Sequence, residues 1–246
     1  MISHHELRDV ALECVANVTS SIDIQSVNER RTDFEMKSSS SDYVTSLDRH
    51  IELETVQFIR KNRANDGILG EEGDATSGTS GIRWIIDPID GTINFLHGIP
   101  HFAISIALKS NNEIVAGLIY DPIKDELFYA EKNNGAFLNN QRIRVSNKNK
   151  LEDCLFAIGG KMVNELNFLC RRSGSAALDL AYVATGRYDG FFQKNLNLWD
   201  IAAGLILVKE AGGIIENLNL DNQKNLNVKA SNPNIHIKFN EKIDNF

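Results

Sequence analysis

The residues best suited to chemistry lie in the stretch WIIDPIDGTINF, at positions 84–95. An apolar run ends here on Asp87 and Asp90, and continues directly into a Gly-Thr pair. The proline between the two acids fixes its own φ and has no N–H, so we expect a tight turn that holds both carboxylates and the Ile89 carbonyl on one side. A short helix that begins after Gly91 would present free N–H groups to an anion. The stretch therefore predicts neighbouring sites for a cation and for a phosphate.

Further acids occupy the ends of predicted elements. Glu71 lies in the Gly-flanked stretch ILGEEG, Asp200 lies in WDIAAG, and Asp48 lies near the start of a predicted helix. Each acid, taken alone, has an ordinary explanation. Asp87 precedes Pro and can belong to a turn, and Glu71 can lie in a solvated turn. Asp200 can cap a helix, and Asp48 can be a first-turn acid. Hard cations such as Mg²⁺ bind oxygen ligands and keep positions open for water and phosphate. Taken together, the acids predict metal-assisted phosphoryl transfer.

Composition limits the possible partners. The chain has 246 residues, 42% hydrophobic and 24% charged, which is typical of a globular protein. A net charge of −7 argues against nucleic acid as the main partner, because a phosphate backbone needs a basic face. The sequence has no apolar run long enough to predict a membrane-spanning helix. Three cysteines without metal-ligand spacing suit reduced thiols, so we expect a cytoplasmic protein.

The periodicity of apolar residues predicts the elements that position these acids. Two helices are expected first, over 7–18 and 47–60, the second with a capping box at its start. Four stretches with strand patterns follow, over 83–87, 101–109, 113–121 and 126–140, and their short Asn- and Gly-containing turns favour antiparallel neighbours. A helix over 175–185, a strand over 188–192 and a buried helix over 200–213, with Asp200 at its N-cap, complete the pattern. The stretch 36–46 is expected to be a turn or an edge strand.

Several separated motifs, in the right order, resemble the inositol monophosphatase family of Mg²⁺-dependent, lithium-sensitive phosphatases. These motifs are DYVTSLD at 42–48, GEE before DPIDGTINF, GIPHFAISIAL at 98–108, RRSGSAALDLAYVATGRYDGFF at 171–192, WDIAAG at 199–204 and ASNPNIH at 230–236. The resemblance implies a layered α-β-α-β-α sandwich of the inositol monophosphatase/fructose-1,6-bisphosphatase type. It also implies one catalytic domain over 1–246, with a lobe of about 1–145 that carries the metal site and a lobe of about 146–246.

The resemblance assigns roles to particular residues. Two or three Mg²⁺ ions would bind to Glu71, Asp87, the Ile89 carbonyl, Asp90 and Asp200. Catalytic roles would belong to Glu71, Thr92 and Asp48, which would orient the attacking water. Substrate contacts would come from Gly91, Thr92, Asp90, Ser175, Ala176, Gln193 and Asp200. Lys37 has roughly the position of the family's lysine near the ions. Water would attack phosphorus directly, without a phosphoenzyme.

The sequence departs from the family pattern at three places. Gln193 replaces the usual Glu that contacts a ring hydroxyl, and an amide can donate as well as accept, so the preferred alcohol can differ. Leu198 replaces the usual Pro before Trp-Asp. The chain between Gly160 and Arg171 is shorter than in typical members, which removes surface near the substrate or a subunit contact.

These departures leave several functions open. The leading one is hydrolysis of myo-inositol 1-phosphate to inositol and phosphate. A second keeps the site and changes the substrate to fructose 1,6-bisphosphate, histidinol phosphate or an NADP-type phosphate. A third is a partner-binding protein with residual phosphatase activity. A phosphorylated small molecule and a second copy of the chain, in a homodimer, are the partners that the resemblance implies.

Overall fold

A computed structural model of the protein describes residues 4–20, 34–36, 43–73, 75–160, 168–216 and 218–243. The helices in this part of the chain are α1 (His4–Ser20), α2 (Ser46–Asn62), α3 (Thr92–Leu96), α4 (Ala176–Ala184), α5 (Leu198–Glu210) and α6 (His236–Ile243). The strands are β1 (Phe34–Met36), β2 (Tyr43–Thr45), β3 (Gly67–Gly70), β4 (Ile82–Asp90), β5 (Ala103–Ser110), β6 (Glu113–Asp121), β7 (Glu126–Glu131), β8 (Gly135–Leu138), β9 (Gln141–Arg142), β10 (Leu155–Ile158), β11 (Leu169–Arg171), β12 (Gly190–Leu196), β13 (Ile214–Ile215) and β14 (Leu226–Ser231).

The larger sheet has seven strands in the order β3-β4-β5-β6-β7-β8-β9. Strands β4 to β9 pair antiparallel with their sequence neighbours, which confirms the predicted meander. Asn111, Asn112 and Asn133 have positive φ in the connecting turns, a conformation that Asn tolerates better than most residues. β3 pairs parallel with β4, so the carboxyl ends of these two strands meet at one edge of the sheet.

The smaller sheet has five strands in the order β11-β10-β12-β14-β13. β10 pairs parallel with both β11 and β12, and the other pairs are antiparallel. A separate antiparallel pair, β1 with β2, includes Met36 and Tyr43–Thr45 of the stretch 36–46, which was expected to be a turn or an edge strand. Residues 37–42, including Lys37, lie outside the described residues.

Helices and sheets alternate in five layers. One face of the seven-stranded sheet packs against α1 and α2, and residues of the sheet and of both helices form one buried cluster, which includes Trp84, Ile86, Ile106, Cys14 and Ile51. The other face packs against α4 and α5, which also contact the inner face of the five-stranded sheet in a second cluster. The outer face of that sheet packs against α6, and the ring of Phe239 stacks on Phe156 at 4.6 Å. The predicted α-β-α-β-α sandwich is confirmed.

The central layer explains the apolar composition of α5. Ten of its thirteen residues are buried, because both of its faces lie against sheets or helices. A Cβ on Gly204 would lie 2.5 Å from Leu180 of α4, so a glycine is needed for the two helices to approach this closely. Among the described residues, no helix combines the length and apolar character needed to cross a membrane.

Two local predictions were wrong. The last buried helix begins at Leu198, with Asn197 at its N-cap, so Asp200 is the third residue of its first turn and not the cap. Asp87 and Asp90 do not form a tight turn after a strand; β4 itself continues to Asp90, with a shift in register between the two acids. A residue without N–H is tolerated in a strand where the ladder is interrupted, which accounts for Pro88 at this position.

Candidate active site

A cavity of about 390 Å³ lies where β3 and β4 end, beside the first turns of α4 and α5. It is lined by Glu71, Asp87, Ile89, Asp90, Gly91, Thr92, Asn94, Gly159, Gly160, Arg172, Ser173, Gly174, Ala176, Asp179, Gln193, Leu196 and Asp200. All five predicted metal ligands are in this set. Of the other residues to which a role was predicted, Gly91, Thr92, Ala176 and Gln193 also line the cavity, whereas Asp48 and Ser175 lie behind it.

Parallel pairing of two strands brings the first acids together. Glu71 follows the last residue of β3, and its N–H donates to the carbonyl of Ile86 in β4 at 3.2 Å. Asp87 comes directly after Ile86 within β4, so Glu71 and Asp87 lie on neighbouring strands at the point where β3 ends. Gly91 then turns the chain with φ 99°, a left-handed conformation that favours glycine, and α3 begins at Thr92.

Asp90 is held by the first turn of α4. One of its carboxylate oxygens accepts hydrogen bonds from the Ser175 hydroxyl and, at 2.9 Å, from the N–H of Ala177; the other lies 3.3 Å from the N–H of Ala176. Ser175 is 1% exposed and is also the N-cap of α4. In this arrangement the hydroxyl of Ser175 supports Asp90, while Ala176 faces the cavity.

The first turn of α5 supplies the last acid. Asp200 accepts a hydrogen bond from the N–H of Asn197 at 2.7 Å, which fixes one carboxylate oxygen and leaves the side chain at the cavity wall. Asp90, the last residue of β4, accepts hydrogen bonds from the first turn of α4, so the N-terminal turns of both central helices lie beside the same acidic cavity.

Thr92 links the cavity to helix α2. Its hydroxyl donates to the carbonyl of Ile89 at 3.0 Å, and it lies 3.4 Å from a carboxylate oxygen of the fully buried Asp48. Because the hydroxyl proton is engaged on this inner side, the oxygen can accept a hydrogen bond from the cavity.

Burial, together with the charges of neighbouring carboxylates, shifts the pKa values of Asp87, Asp90 and Asp200 upward. Burial raises the pKa of Asp87 well above its usual range, and the charges of Glu71, Asp90 and Asp200 raise it further. Burial also raises the pKa of Asp90 to about 6, against the effect of its hydrogen bonds, and that of Asp200 to about 8, with added contributions from Asp90 and Glu71. A cation in the cavity would remove this cost, because it favours the ionised form of each acid.

The acids fit a hard divalent cation. One buried oxygen of Asp87 has no hydrogen-bond partner, which leaves it available as a ligand. In the described part of the chain, no three His, Cys, Asp or Glu side chains are gathered closely enough to form a ready-made cage. An oxygen-lined cavity that leaves room for water and substrate is the arrangement that Mg²⁺ uses beside phosphates.

Sequence reasoning missed a fifth acid in the cavity wall. Asp179 of α4 lines the cavity, is 2% exposed and has one oxygen without a hydrogen-bond partner. Burial raises its pKa to about 8, with a smaller contribution from the charge of Asp90. A single acid inside the apolar run AALDLAYVA was the available signal, since buried carboxylates are rare without a partner or a task.

Asn94 was also missed, and it holds two parts of the cavity wall together. Its side-chain amide donates to the carbonyl of His101 at 2.7 Å and to that of Ser173 at 2.8 Å. The segment before α4 is thereby fixed to the loop after α3. Residues 161–167, which include most of the shortened segment, lie outside the described residues.

Gln193 depends on a glycine beside it. A Cβ on Gly159 would lie 1.8 Å from the side-chain oxygen of Gln193 and 2.7 Å from its Cγ, so the amide occupies the space that a larger residue would fill. The absence of a side chain at Gly159 thus leaves room for the side chain of Gln193 at the cavity wall.

We expect Gly159→Ala to displace Gln193 with little effect on the fold, because the clash involves the end of a flexible side chain. Losing one hydrogen bond to substrate would raise KM on the order of tenfold. Steady-state kinetics and a thermal melt would check this. An unchanged KM would show that Gln193 does not contact the substrate.

Five alternating layers, with an acidic cavity at the end of the seven-stranded sheet, are the architecture of the inositol monophosphatase/fructose-1,6-bisphosphatase class of phosphatases. The chain belongs to the inositol monophosphatase family, whose sequence profile matches residues 4–244. It is therefore a phosphatase by family, and the family is generally Mg²⁺-dependent.

Similar proteins in other organisms carry different names. The chain is 49% identical over 189 residues to an inositol-1-monophosphatase of Rhizobium meliloti, covering 70% of this chain and 71% of that one. It is 46% identical over 190 residues to a fructose-1,6-bisphosphatase/inositol-1-monophosphatase of Thermotoga maritima (74% and 73%), and 43% identical over 208 residues to the Nus factor SuhB of Pasteurella multocida (78% of each).

A solved structure confirms the fold. The crystal structure of the extragenic suppressor protein suhB from Bartonella henselae superimposes with a TM-score of 0.88 at 40% sequence identity. The match covers 97% of this chain and 98% of that one, so it includes both sheets and all helix layers.

Proposed function

We propose that this protein hydrolyses small phosphate monoesters with Mg²⁺, and that myo-inositol 1-phosphate is its leading substrate. The observation that carries the proposal is the convergence of Glu71, Asp87, Asp90 and Asp200 on one cavity that is large enough for a monosaccharide-sized phosphate. Family membership supports the phosphatase chemistry, and the relative named inositol-1-monophosphatase supports the substrate.

The metal ligands in this proposal are Glu71, Asp87, the Ile89 carbonyl, Asp90 and Asp200. When bound, Mg²⁺ would polarise the phosphate, activate a water molecule and stabilise the departing alkoxide. Two or three ions would also reverse the negative charge of the cavity, so that an acidic protein can bind an anionic ester.

The protein's own groups would orient the attacking water. Thr92 can accept a hydrogen bond from water, since its proton is directed to Ile89 or Asp48. A carboxylate of Glu71 on the neighbouring strand end would take the proton that the water loses. In this proposal water attacks phosphorus directly, so no covalent intermediate with the protein is formed.

Phosphate release from a panel of esters tests the proposal. The panel contains myo-inositol 1-phosphate, fructose 1,6-bisphosphate, histidinol phosphate and NADP⁺, each with Mg²⁺, with EDTA, and with Mg²⁺ plus Li⁺. We expect release that requires Mg²⁺ and is inhibited by Li⁺, with the inositol ester ranked first. Fructose 1,6-bisphosphate in first place would support the second substrate, which the name of the Thermotoga relative favours.

We expect Gln193→Glu to shift preference toward inositol phosphate, because a carboxylate accepts the ring hydroxyl more strongly than an amide does. A gain on the order of tenfold in relative kcat/KM corresponds to about 1.4 kcal/mol. Gln141→Glu is the matched control, since Gln141 is exposed on β9 and does not line the cavity. Equal substrate rankings for all three proteins would show that this position does not select the alcohol.

A partner-binding role is the second candidate function, and the relative named Nus factor SuhB favours it. A chain that releases no phosphate from any ester at saturating Mg²⁺, but forms a complex of fixed stoichiometry with a cellular protein, would support this role. The homodimer remains a prediction from the resemblance, and analytical ultracentrifugation would test it. The cytoplasmic location remains a prediction from the reduced cysteines.

A further inference from the structure

We propose that Glu52 is a positioning residue for the acidic loop of residues 71–73, and that it sets the affinity of the cavity for Mg²⁺ without binding the ion itself. The proposal rests on the proposed function in taking Glu71 as a metal ligand. Glu52 does not line the cavity, so its effect would pass through the backbone of this loop.

The carboxylate of Glu52 makes a direct contact with the loop. The residue is on α2, 6% exposed, and its Oε2 accepts a hydrogen bond from the N–H of Glu72 at 2.9 Å. The N–H of Glu71 donates in turn to the carbonyl of Ile86. Two successive N–H groups are therefore held, one by the sheet and one by α2, which fixes where the side chain of Glu71 begins.

Two glycines make room for this contact. A Cβ on Gly70 would lie 2.5 to 2.6 Å from the three carboxylate atoms of Glu52, and a Cβ on Gly73 would lie 2.7 Å from Oε1. Neither glycine has a positive φ, so backbone conformation does not require glycine at these positions. Glycine is favoured there because a Cβ would clash with the Glu52 carboxylate. One buried side chain therefore explains the glycines on both sides of Glu71 and Glu72.

Helix α2 thus supports the cavity at two points. Asp48 and Glu52 are four residues apart, which places them on the same face of the helix. Asp48 is next to Thr92, and Glu52 is bonded to the loop of Glu71. Both groups that are expected to orient the attacking water are therefore fixed by the same helix face.

The test compares Glu52→Ala and Glu52→Gln with the wild-type protein, using calorimetric titration with Mg²⁺ in the absence of substrate. Loss of a group bonded directly to a metal ligand typically costs ~10–100-fold in affinity. Glu52 is bonded to the backbone of Glu72, next to the ligand Glu71, so we expect Glu52→Ala to weaken Mg²⁺ binding by about tenfold, the lower end of that range. Glu52→Gln keeps an acceptor for the N–H of Glu72 and should bind nearly as the wild type does. Hydrogen exchange at the Glu72 amide should be faster in Glu52→Ala only.

Glu54→Ala is the matched control. Glu54 is two residues along the same helix, and no hydrogen bond or ion pair to it is found among the described residues. This variant should leave Mg²⁺ affinity unchanged. At saturating Mg²⁺, Glu52→Ala should recover most of its kcat, with an unchanged KM for the ester, which a general loss of folding would not produce.

Two results would overturn the proposal: Mg²⁺ binding by Glu52→Ala that equals the wild type, or failure of the wild type to bind Mg²⁺ at all. If the wild type binds Mg²⁺ and Glu52→Ala binds it more weakly, while no ester is hydrolysed, the positioning role stands and the proposed function fails. The two proposals are therefore distinguished by the same set of measurements.

Discussion

Replacing Asp90 by Asn should lower turnover well beyond the ~10–100-fold that loss of an outer partner of a metal ligand costs. The change removes one negative charge from the acidic cavity, and it leaves the side chain at position 90 with one oxygen, instead of two, that can bind a cation. The fold should survive, because the remaining amide oxygen can still accept a hydrogen bond from Ser175 or from the N–H of Ala177. Phosphate release and a thermal melt of the same preparation measure the two effects separately.

Asp189 offers a matched control for this prediction. It is also a buried Asp, 1% exposed, and it accepts hydrogen bonds from Ser146, Lys148 and the N–H of Leu155, but it does not line the cavity. Asp189→Asn should lower the melting temperature and leave kcat of the folded protein nearly unchanged. Near-normal turnover of Asp90→Asn would contradict the predicted metal site.

Without metal, the protein should lose stability as the pH rises from 7 to 8.5. Asp179 and Asp200 have pKa values raised to about 8, whereas an unfolded Asp has a pKa near 3.8. The folded state therefore binds more protons than the unfolded state in this range, and the free energy of unfolding falls as those protons leave. The lowered pKa values of His101 and His236 act in the opposite direction, but the unfolded histidine has lost its proton by about pH 7.5.

Saturating Mg²⁺ should reverse most of this loss. An ion that binds only the folded state stabilises it by mass action, about 2.7 kcal/mol at a free concentration of 100 Kd. The gain in melting temperature should be larger at pH 8.5 than at pH 7, because the ionised carboxylates are the form that binds. Differential scanning calorimetry with EDTA or Mg²⁺ would measure it.

Asp179→Asn separates the contribution of Asp179 to the pH dependence from that of the predicted metal ligand Asp200. This variant removes one raised carboxyl that is not a predicted metal ligand, so the metal-free protein should lose less stability between pH 7 and 8.5. Its response to Mg²⁺ should persist. A melting temperature of the metal-free wild type that rises over this range would refute the account of the acidic cavity.

The local sequence pattern was sufficient to predict the helices and strands that bury one face, and the turns that contain Asn or Gly. The periodicity of α2, the Asn-containing turns of the meander and the bounds of α4 are all local, and the structure has them close to the prediction. The sequence gives no such signal for β10, β11, β13, β14 and α6, which were not predicted. These strands are only two to six residues long, and parallel pairs such as β10 with β12 join residues more than thirty positions apart.

The candidate site also has features that the sequence motifs predicted and features that they could not predict. Motifs were enough to bring Asp87, Asp90 and Asp200 into one cavity. They could not show that Asp90 is bonded to the first turn of α4, nor that Glu52 fills the space left by two glycines, because these contacts depend on tertiary packing. The continuation of β4 past Pro88 was missed for the same reason: the shift in register is a property of the pair of strands.

The layer formed by α4 and α5 serves as the core of both sheets, which has a consequence for any attempt to divide the chain. A fragment that ends after β9 would keep Glu71, Asp87 and Asp90 but would expose the sheet face that α4 and α5 cover, and it would lack Asp200. A fragment that begins at β10 would keep the two helices with only one of their sheets. Neither half should fold or bind metal alone, and mixing the separately expressed halves should restore both properties only by re-forming the shared layer.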